Sequence, residues 1–285
     1  MAGKRKQLRV GLTGASGFLG QQVLACLQRL PVQVWATTRG ATDLMATPVG
    51  TTWLNMDIAS PGDDAYERLG RCEVLIHLAW GGLPAYRSLH HFEEELPRQF
   101  RFLRGLLQAG LPHLLVAGTC FEYGDVSGCL SESVVTQPTT TYGFAKDCLR
   151  KQLQFLGESL SFNLCWARLF FLFGPGQGEK SLYSQFRKAI MRGDASFPMS
   201  GGEQLRDFLA VSQAADLLVK LALMRSNAGV VNVCSGKPIS VRRLVESWVA
   251  QESATIQLDL GRFPYPDYEP MAFWGSRHYL DSLLH

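Results

Sequence analysis

The 285-residue sequence predicts an α/β fold, a doubly wound parallel sheet followed by a smaller C-terminal lobe. Three observations carry this. Short β-branched or apolar runs alternate with longer amphipathic stretches through the first half, the pattern of repeated βα units. A glycine-rich turn joins the first such run to the first helical pattern. Near residue 172 the texture changes: Gly174-Pro175-Gly176-Gln177-Gly178 is loop-like, and glycines, prolines and single aromatics interrupt the later segments. The expected division is 1–172 for the sheet domain and 173–285 for the small lobe, with a strand near 230–234 able to return to the sheet.

In chain order, the runs that read as strands are Arg9 to Leu12, Val32 to Thr37, Trp53 to Met56, Val74 to Leu78, His113 to Ala117 and Leu164 to Phe170. Helical patterns lie between them, clearest over Phe18 to Leu30, where Leu19, Val23 and Leu27 recur on one face. Phe92 to Ala109 and Gly143 to Leu156 follow. Beyond the boundary, Tyr183 to Met191, Ala214 to Met224 and Val241 to Val249 read as helices and Val230 to Val233 as a strand.

Composition narrows the function classes. With 46% hydrophobic and 19% charged residues the chain forms a full core, which excludes disorder as its main theme. Net charge is +3 and the one basic run is Lys4-Arg5-Lys6, too little to argue for nucleic acid. No stretch approaches the roughly 20 apolar residues that span a bilayer, and no cleavage-type site follows the basic start. A cytoplasmic protein without membrane partners is expected. Seven widely spread cysteines lack a CxxC pair, and the six histidines include one close pair, His90-His91, so neither a disulfide framework nor a metal site is expected.

The first strand runs into Gly11-Leu12-Thr13-Gly14-Ala15-Ser16-Gly17-Phe18-Leu19-Gly20 and then a helix. Glycines at 14, 17 and 20 permit a tight turn, close approach of a pyrophosphate to backbone N–H groups, and close helix–strand packing, as in a Rossmann-like dinucleotide-binding unit. Thr13, Gly14, Ser16, Gly17, Phe18, Leu19 and Gly20 are the candidate contacts. An acid about 20 residues on would hold the ribose 2′-hydroxyl of NAD(H). None occurs between Gly20 and Thr42; the second strand ends Thr37-Thr38-Arg39, and a guanidinium fork suits a 2′-phosphate. NADP(H) is therefore favoured and NAD(H) remains possible. The alternative is that Arg39 is an ordinary surface residue.

Tyr142 and Lys146 stand four apart at the start of a helical pattern and share a face one turn apart. Bringing a phenol from about 10 to about 7 takes roughly 4 kcal/mol, which a nearby Lys⁺ and an oxidised nicotinamide could supply.

The ordered set of motifs resembles the extended short-chain dehydrogenases/reductases, in their nucleotide-sugar epimerase, dehydratase and reductase branch. The set is the glycine loop, Asp57-Ile58, His77-Leu78-Ala79, Thr119 with Tyr123-Gly124, Tyr142 with Lys146, Gly174-Pro175-Gly176, Arg206-Asp207-Phe208 and Asn232 to Gly236. The resemblance implies that Asp57 accepts from the adenine amino group, with Ile58 beside it, and that Leu78 and Ala79 line the cofactor's path. It implies Lys146 at the nicotinamide ribose, Thr119 at the reacting oxygen, and Arg206 at the pyrophosphate of a nucleotide-diphosphate sugar, with Tyr183 and Glu269 as further substrate contacts. Asp57 could instead be a turn residue, Thr119 a satisfied strand-end hydroxyl, and Arg206 part of an ion pair with Asp207. The aromatic, proline-rich tail from Arg262 to Trp274 could close over the substrate or pack lobe on lobe.

Dehydratases of this family carry an acid between the Ser/Thr and the Tyr-Gly, where Cys120 and Phe121 stand here. On an extended segment Glu122 would point away from Phe121, which disfavours a dehydratase. The resemblance and Arg39 together imply NADPH-dependent reduction of the 4-keto group of a nucleotide-linked 4-keto-6-deoxyhexose. An NAD-dependent nucleotide-sugar 4-epimerase is the alternative, and a non-catalytic dinucleotide-binding regulator a second. Phe171 and Gln99 stand where the family commonly has asparagines. The helices over 92–109 and 143–156 correspond to the pair through which relatives dimerise, which implies a homodimer.

Overall fold

The computed structural model describes residues 7–40 and 50–285; the Lys4-Arg5-Lys6 run lies outside them. The chain begins β1 (Leu8–Thr13), α1 (Phe18–Leu27), β2 (Val32–Thr38), β3 (Thr51–Asn55), α2 (Ala65–Arg68), β4 (Val74–His77), α3 (Leu96–Gln108) and β5 (His113–Thr119). It continues β6 (Gly128–Leu130), α4 (Thr141–Leu156), β7 (Asn163–Leu169), β8 (Phe171–Phe173), α5 (Leu182–Arg192), β9 (Ser196–Pro198), β10 (Leu205–Ala210) and α6 (Val211–Met224). β11 (Gly229–Val233), β12 (Pro238–Ser240), α7 (Val241–Gln251), β13 (Gln257–Asp259), β14 (Phe273–Gly275) and α8 (His278–Leu284) complete it.

Seven parallel strands form the large sheet in the order β11-β7-β5-β4-β1-β2-β3. Its strands read as nearly continuous apolar runs because both faces are covered. Neighbours in a strand point to opposite faces, so Ile76 joins a core with Val10, Leu12, Val23 and Leu218, beneath α1 and α6. Leu75 joins the other, with Leu103, Leu106, Leu149 and Leu153 from α3 and α4. Strand order reverses between β1 and β4, and the crevice at the C-terminal ends of those strands is where such sheets bind ligands.

The small lobe holds the three-stranded sheet β12-β10-β8 and the pair β13-β9, packed on α5 and α7 around Phe186, Phe197 and Trp248. Ser181 and Ser240 cap α5 and α7 by accepting from the backbone N–H three residues on. After β10 the chain returns to the large sheet: α6 packs beneath it, β11 pairs with β7, and Leu280 of α8 joins the same core.

Two segments depart from the sequence pattern for local reasons. The single helix expected over Phe92 to Ala109 is instead a widened turn at His91–Glu95 followed by α3. Pro97 has no N–H to donate into the preceding turn, and wide turns absorb such a defect. The segment after β5, expected to be extended, is a tight 3₁₀ turn over Cys120–Glu122. Thr119 and Glu122 drive it: the Thr119 hydroxyl accepts from the Phe121 N–H, and the Glu122 carboxylate accepts from the Thr119 N–H.

Candidate active site

The glycine loop lies where the sheet order reverses, and neither Gly14 nor Gly20 has room for a side chain. Gly14 has φ +71°, and a Cβ there would stand 2.8 Å from the Ala79 backbone nitrogen. A Cβ on Gly20 would stand 2.0 Å from the Gly14 carbonyl oxygen. No side chain caps α1 at Gly17, so the amides of its first turn face the crevice with the positive end of the helix dipole. A cleft of about 300 Å³ opens here, lined by Gly14, Ser16, Gly17, Leu78 and Ala79 and, across the sheet, by Arg39, Asp57 and Ile58. The residues present fit a dinucleotide: a glycine cradle at one point and hydroxyls with a guanidinium at another.

Several predicted contacts sit elsewhere. Thr13 is fully buried with its hydroxyl turned to His77, Leu19 packs against the core, and Phe18 lies beside Gly176. Asp57 lines the cleft but also accepts from the Ala59 N–H at 2.9 Å, the turn its alternative reading anticipated. Near the expected 2′-phosphate position, the Thr38 hydroxyl is 3.5 Å from that of Ser16 and accepts from the Gly40 N–H, and Arg39 is exposed. A second guanidinium that the sequence did not single out, Arg98, borders the same cleft, held by Glu94 at 2.5 Å.

Tyr142 and Lys146 come from the first two turns of α4, which is capped by Thr140, whose hydroxyl accepts from the Gly143 N–H. Gly143 is required there, because a Cβ would stand 2.4 Å from the Phe121 carbonyl oxygen. Burial pushes the Tyr142 phenol far above its ordinary value, reinforced by Tyr86 and Glu122, while the nearby Thr119 hydroxyl pulls the other way. In the protein alone desolvation dominates, and Lys146 does not offset it. Lys146 is 2% exposed and donates to the Ala117 carbonyl at 2.8 Å, and burial lowers it from 10.5 to about 7. Its ammonium also lies 3.9 Å from the centre of the Trp80 ring.

Trp80 was not foreseen, although it directly follows His77-Leu78-Ala79. It borders the same cleft and donates to His91 Nδ1 at 3.2 Å, while His91 Nε2 donates to the Ala85 carbonyl. Gln99, at the place of the family's usual asparagine, lies in a buried chain. The Thr13 hydroxyl meets His77 Nδ1 at 2.8 Å, His77 Nε2 meets Gln99 Oε1 at 2.6 Å, and Gln99 Nε2 donates to Glu95 at 3.0 Å. Burial, with Lys146 nearby, lowers His77 to about 3, so it is neutral at ordinary pH and this chain carries no charge at the ring.

Glu122 faces away from the crevice, fully buried, accepting from Trp166 at 2.8 Å and from Arg168 at 2.7 Å as well as from Thr119. Arg206 pairs with Glu269 at 2.9 Å rather than with Asp207, whose carboxylate accepts from the Ser235 and Gly236 amides. The two substrate candidates thus hold each other. The tail does reach the candidate catalytic groups: Tyr268 packs on Tyr86 and Phe121, and both of those rings face Tyr142. Tyr183 stands apart, packed on Phe173 and Trp248 beside a second cleft that shares no lining residue with the first.

Among the described residues no group of three or more His, Cys, Asp or Glu is arranged to hold a metal ion, and no helix is long and apolar enough to cross a membrane. The dTDP-6-deoxy-L-talose 4-dehydrogenase (NAD(+)) of Aggregatibacter actinomycetemcomitans is 28% identical over 272 residues, 95% of this chain and 100% of its own. The dTDP-6-deoxy-L-talose 4-dehydrogenase (NAD(P)(+)) of Kitasatospora kifunensis is 26% identical, over 91% of this chain and 83% of its own. In fold the chain is similar to MoeE5 solved in complex with UDP-glucuronic acid and NAD, with TM-score 0.79, 24% identity, and 96% of this chain and 92% of that one covered. The model of the NAD dependent epimerase/dehydratase family matches residues 10–234, a span running from the glycine cradle through Tyr142 and Lys146 to β11, and the chain belongs to that family.

Proposed function

We propose that the protein reduces the 4-keto group of a nucleotide-linked 4-keto-6-deoxyhexose, with NADPH as the favoured reductant, as a cytoplasmic homodimer. The observation that carries the reading is a protonated phenol near the Thr119 hydroxyl, its ring 6.0 Å from that of Trp80, which lines the cleft that also bears Arg39 and no acid from the second strand. When bound, the reduced nicotinamide supplies the hydride. Tyr142 gives its proton to the developing alkoxide, Thr119 donates to the same oxygen, and solvent restores the phenol. Burial suits Tyr142 to this direction, because an acid has to hold its proton until the oxygen becomes basic. Lys146, beneath the phenol, would hold the nicotinamide ribose. The names of the two relatives support a 6-deoxyhexose linked to a nucleotide and chemistry at carbon 4, written in the oxidative sense. The exposed rings of Phe144 and Phe155 on α4 support a helix-pair dimer.

The test supplies purified protein with NADPH and a panel of 4-keto nucleotide sugars, following loss of reduced nicotinamide. Oxidation of NADPH only when a sugar is present is expected, with kcat/KM at least tenfold above that for NADH. Arg39→Ala is expected to remove most of this preference, a charge-assisted contact being about 1.5–3 kcal/mol. Tightly held NAD and sugar interconversion without net cofactor use would establish the epimerase instead.

A further inference from the structure

Between the Tyr142 phenol and the Arg206 guanidinium the molecule presents a nearly unbroken run of aromatic rings. The centroid of Tyr86 lies 5.7 Å from that of Tyr142 and 4.9 Å from that of Phe121. Tyr268, from the tail, closes on Tyr86 at 6.0 Å and on Phe121 at 6.2 Å. Phe171 extends the wall 6.2 Å beyond Phe121, and the Arg206 guanidinium stands 5.6 Å from the Phe171 centroid. The carboxylates nearest this wall are committed elsewhere, Glu122 to Thr119, Trp166 and Arg168, and Glu269 to Arg206. Among the described residues neither the Tyr86 nor the Tyr268 phenol has a hydrogen-bond partner.

The proton and hydride transfers use none of these four rings, yet a substituent beside the reacting carbon cannot avoid them. The reacting oxygen has to meet both Tyr142 and Thr119, and Phe121 is tied to that point because its own N–H donates to the Thr119 hydroxyl at 3.3 Å. We propose that this wall, centred on Phe121, receives the C6 branch of the hexose and selects a methyl there over a hydroxymethyl or a carboxylate. The inference deepens the reductase reading and rests on it. A methyl entering against rings leaves water at a gain. A hydroxyl gives up its hydration for partial compensation, and a carboxylate would face aromatic π-clouds and Glu269, with the two guanidinium groups at the wall, Arg206 and Arg87, already paired with Glu269 and Asp267. The branch meets Phe121 and Phe171, the two wall rings that carry no polar atom, 6.2 Å apart, and the Tyr86 and Tyr268 phenols remain available to the ring hydroxyls.

The experiment compares, in the oxidative direction with NADP⁺, a nucleotide-linked 6-deoxyhexose and its 6-hydroxy counterpart of the same nucleotide and stereochemistry. An apolar pocket rejects an added hydroxyl by about 100-fold, and that ratio in kcat/KM is expected. Phe121→Gln should bring it below about tenfold while Phe121→Leu keeps it, both with unchanged KM for NADP⁺. Tyr268→Gln, on the tail and outside the tight turn, should narrow it independently. Equal kcat/KM for the two sugars in the wild type, or a full ratio surviving in both glutamine variants, overturns the wall and leaves the reductase standing. Turnover of neither sugar by protein that still binds NADP⁺ overturns both.

Discussion

An ammonium with 2% exposure, one hydrogen bond to a backbone carbonyl and an indole over its face is the least comfortable group in the crevice. The drop of Lys146 from 10.5 to about 7 costs the folded state up to about 5 kcal/mol wherever the ammonium must be kept charged. The unfolded chain holds this proton up to pH 10.5 and the native one only to about 7, so the cost is full below pH 7 and fades as pH rises to 10.5. Lys146→Met is therefore expected to raise the melting temperature at pH 6 and to gain little near pH 11, in thermal scans without cofactor. Tyr142→Phe should lower kcat by about 10²–10⁴-fold and leave NADPH binding intact by titration. These two residues were legible in the sequence because their relation is local, four positions on one helix. Trp80 and Tyr86 were not. What makes them part of the site is the meeting of β4 and its following loop with α4, which no spacing along the chain encodes.

Among elements, the β1–α1 connection leaves little freedom. With a Cβ on Gly20 2.0 Å from the Gly14 carbonyl oxygen, Gly20→Ala has to push the loop off the helix. At least a tenfold rise in the Kd for NADPH, together with a lower urea midpoint, is the expected result. The glycine spacing announced this unit because its steric demand is met by residue type alone. The π-type turn before α3 also left a signal, Pro97, which the apolar periodicity of Phe92 to Ala109 masked. β8 and β10 left none: each is short, and Phe171–Phe173 or Leu205–Ala210 look like loop or helix until β12 and β8 pair with β10.

At the scale of the whole molecule the lobes meet through Asp207, fully buried on β10, whose carboxylate takes the Ser235 amide at 2.7 Å, the Gly236 amide at 2.9 Å and the Gly275 amide at 3.3 Å. It ties a small-lobe strand to the end of β11 in the large sheet. Asp207→Asn turns an acceptor into a donor facing N–H groups, and a loss of about 2 kcal/mol is expected in urea unfolding at unchanged m value. The tail gives a second tie. It joins the large lobe through Arg87 and Asp267, an exposed pair at 3.0 Å, and the small lobe through the buried Arg206 and Glu269. Arg206 therefore already has an anion. Any diphosphate that reaches it enters by exchange, one negative group leaving as another arrives, and at no point does the interior have to shelter a naked cation.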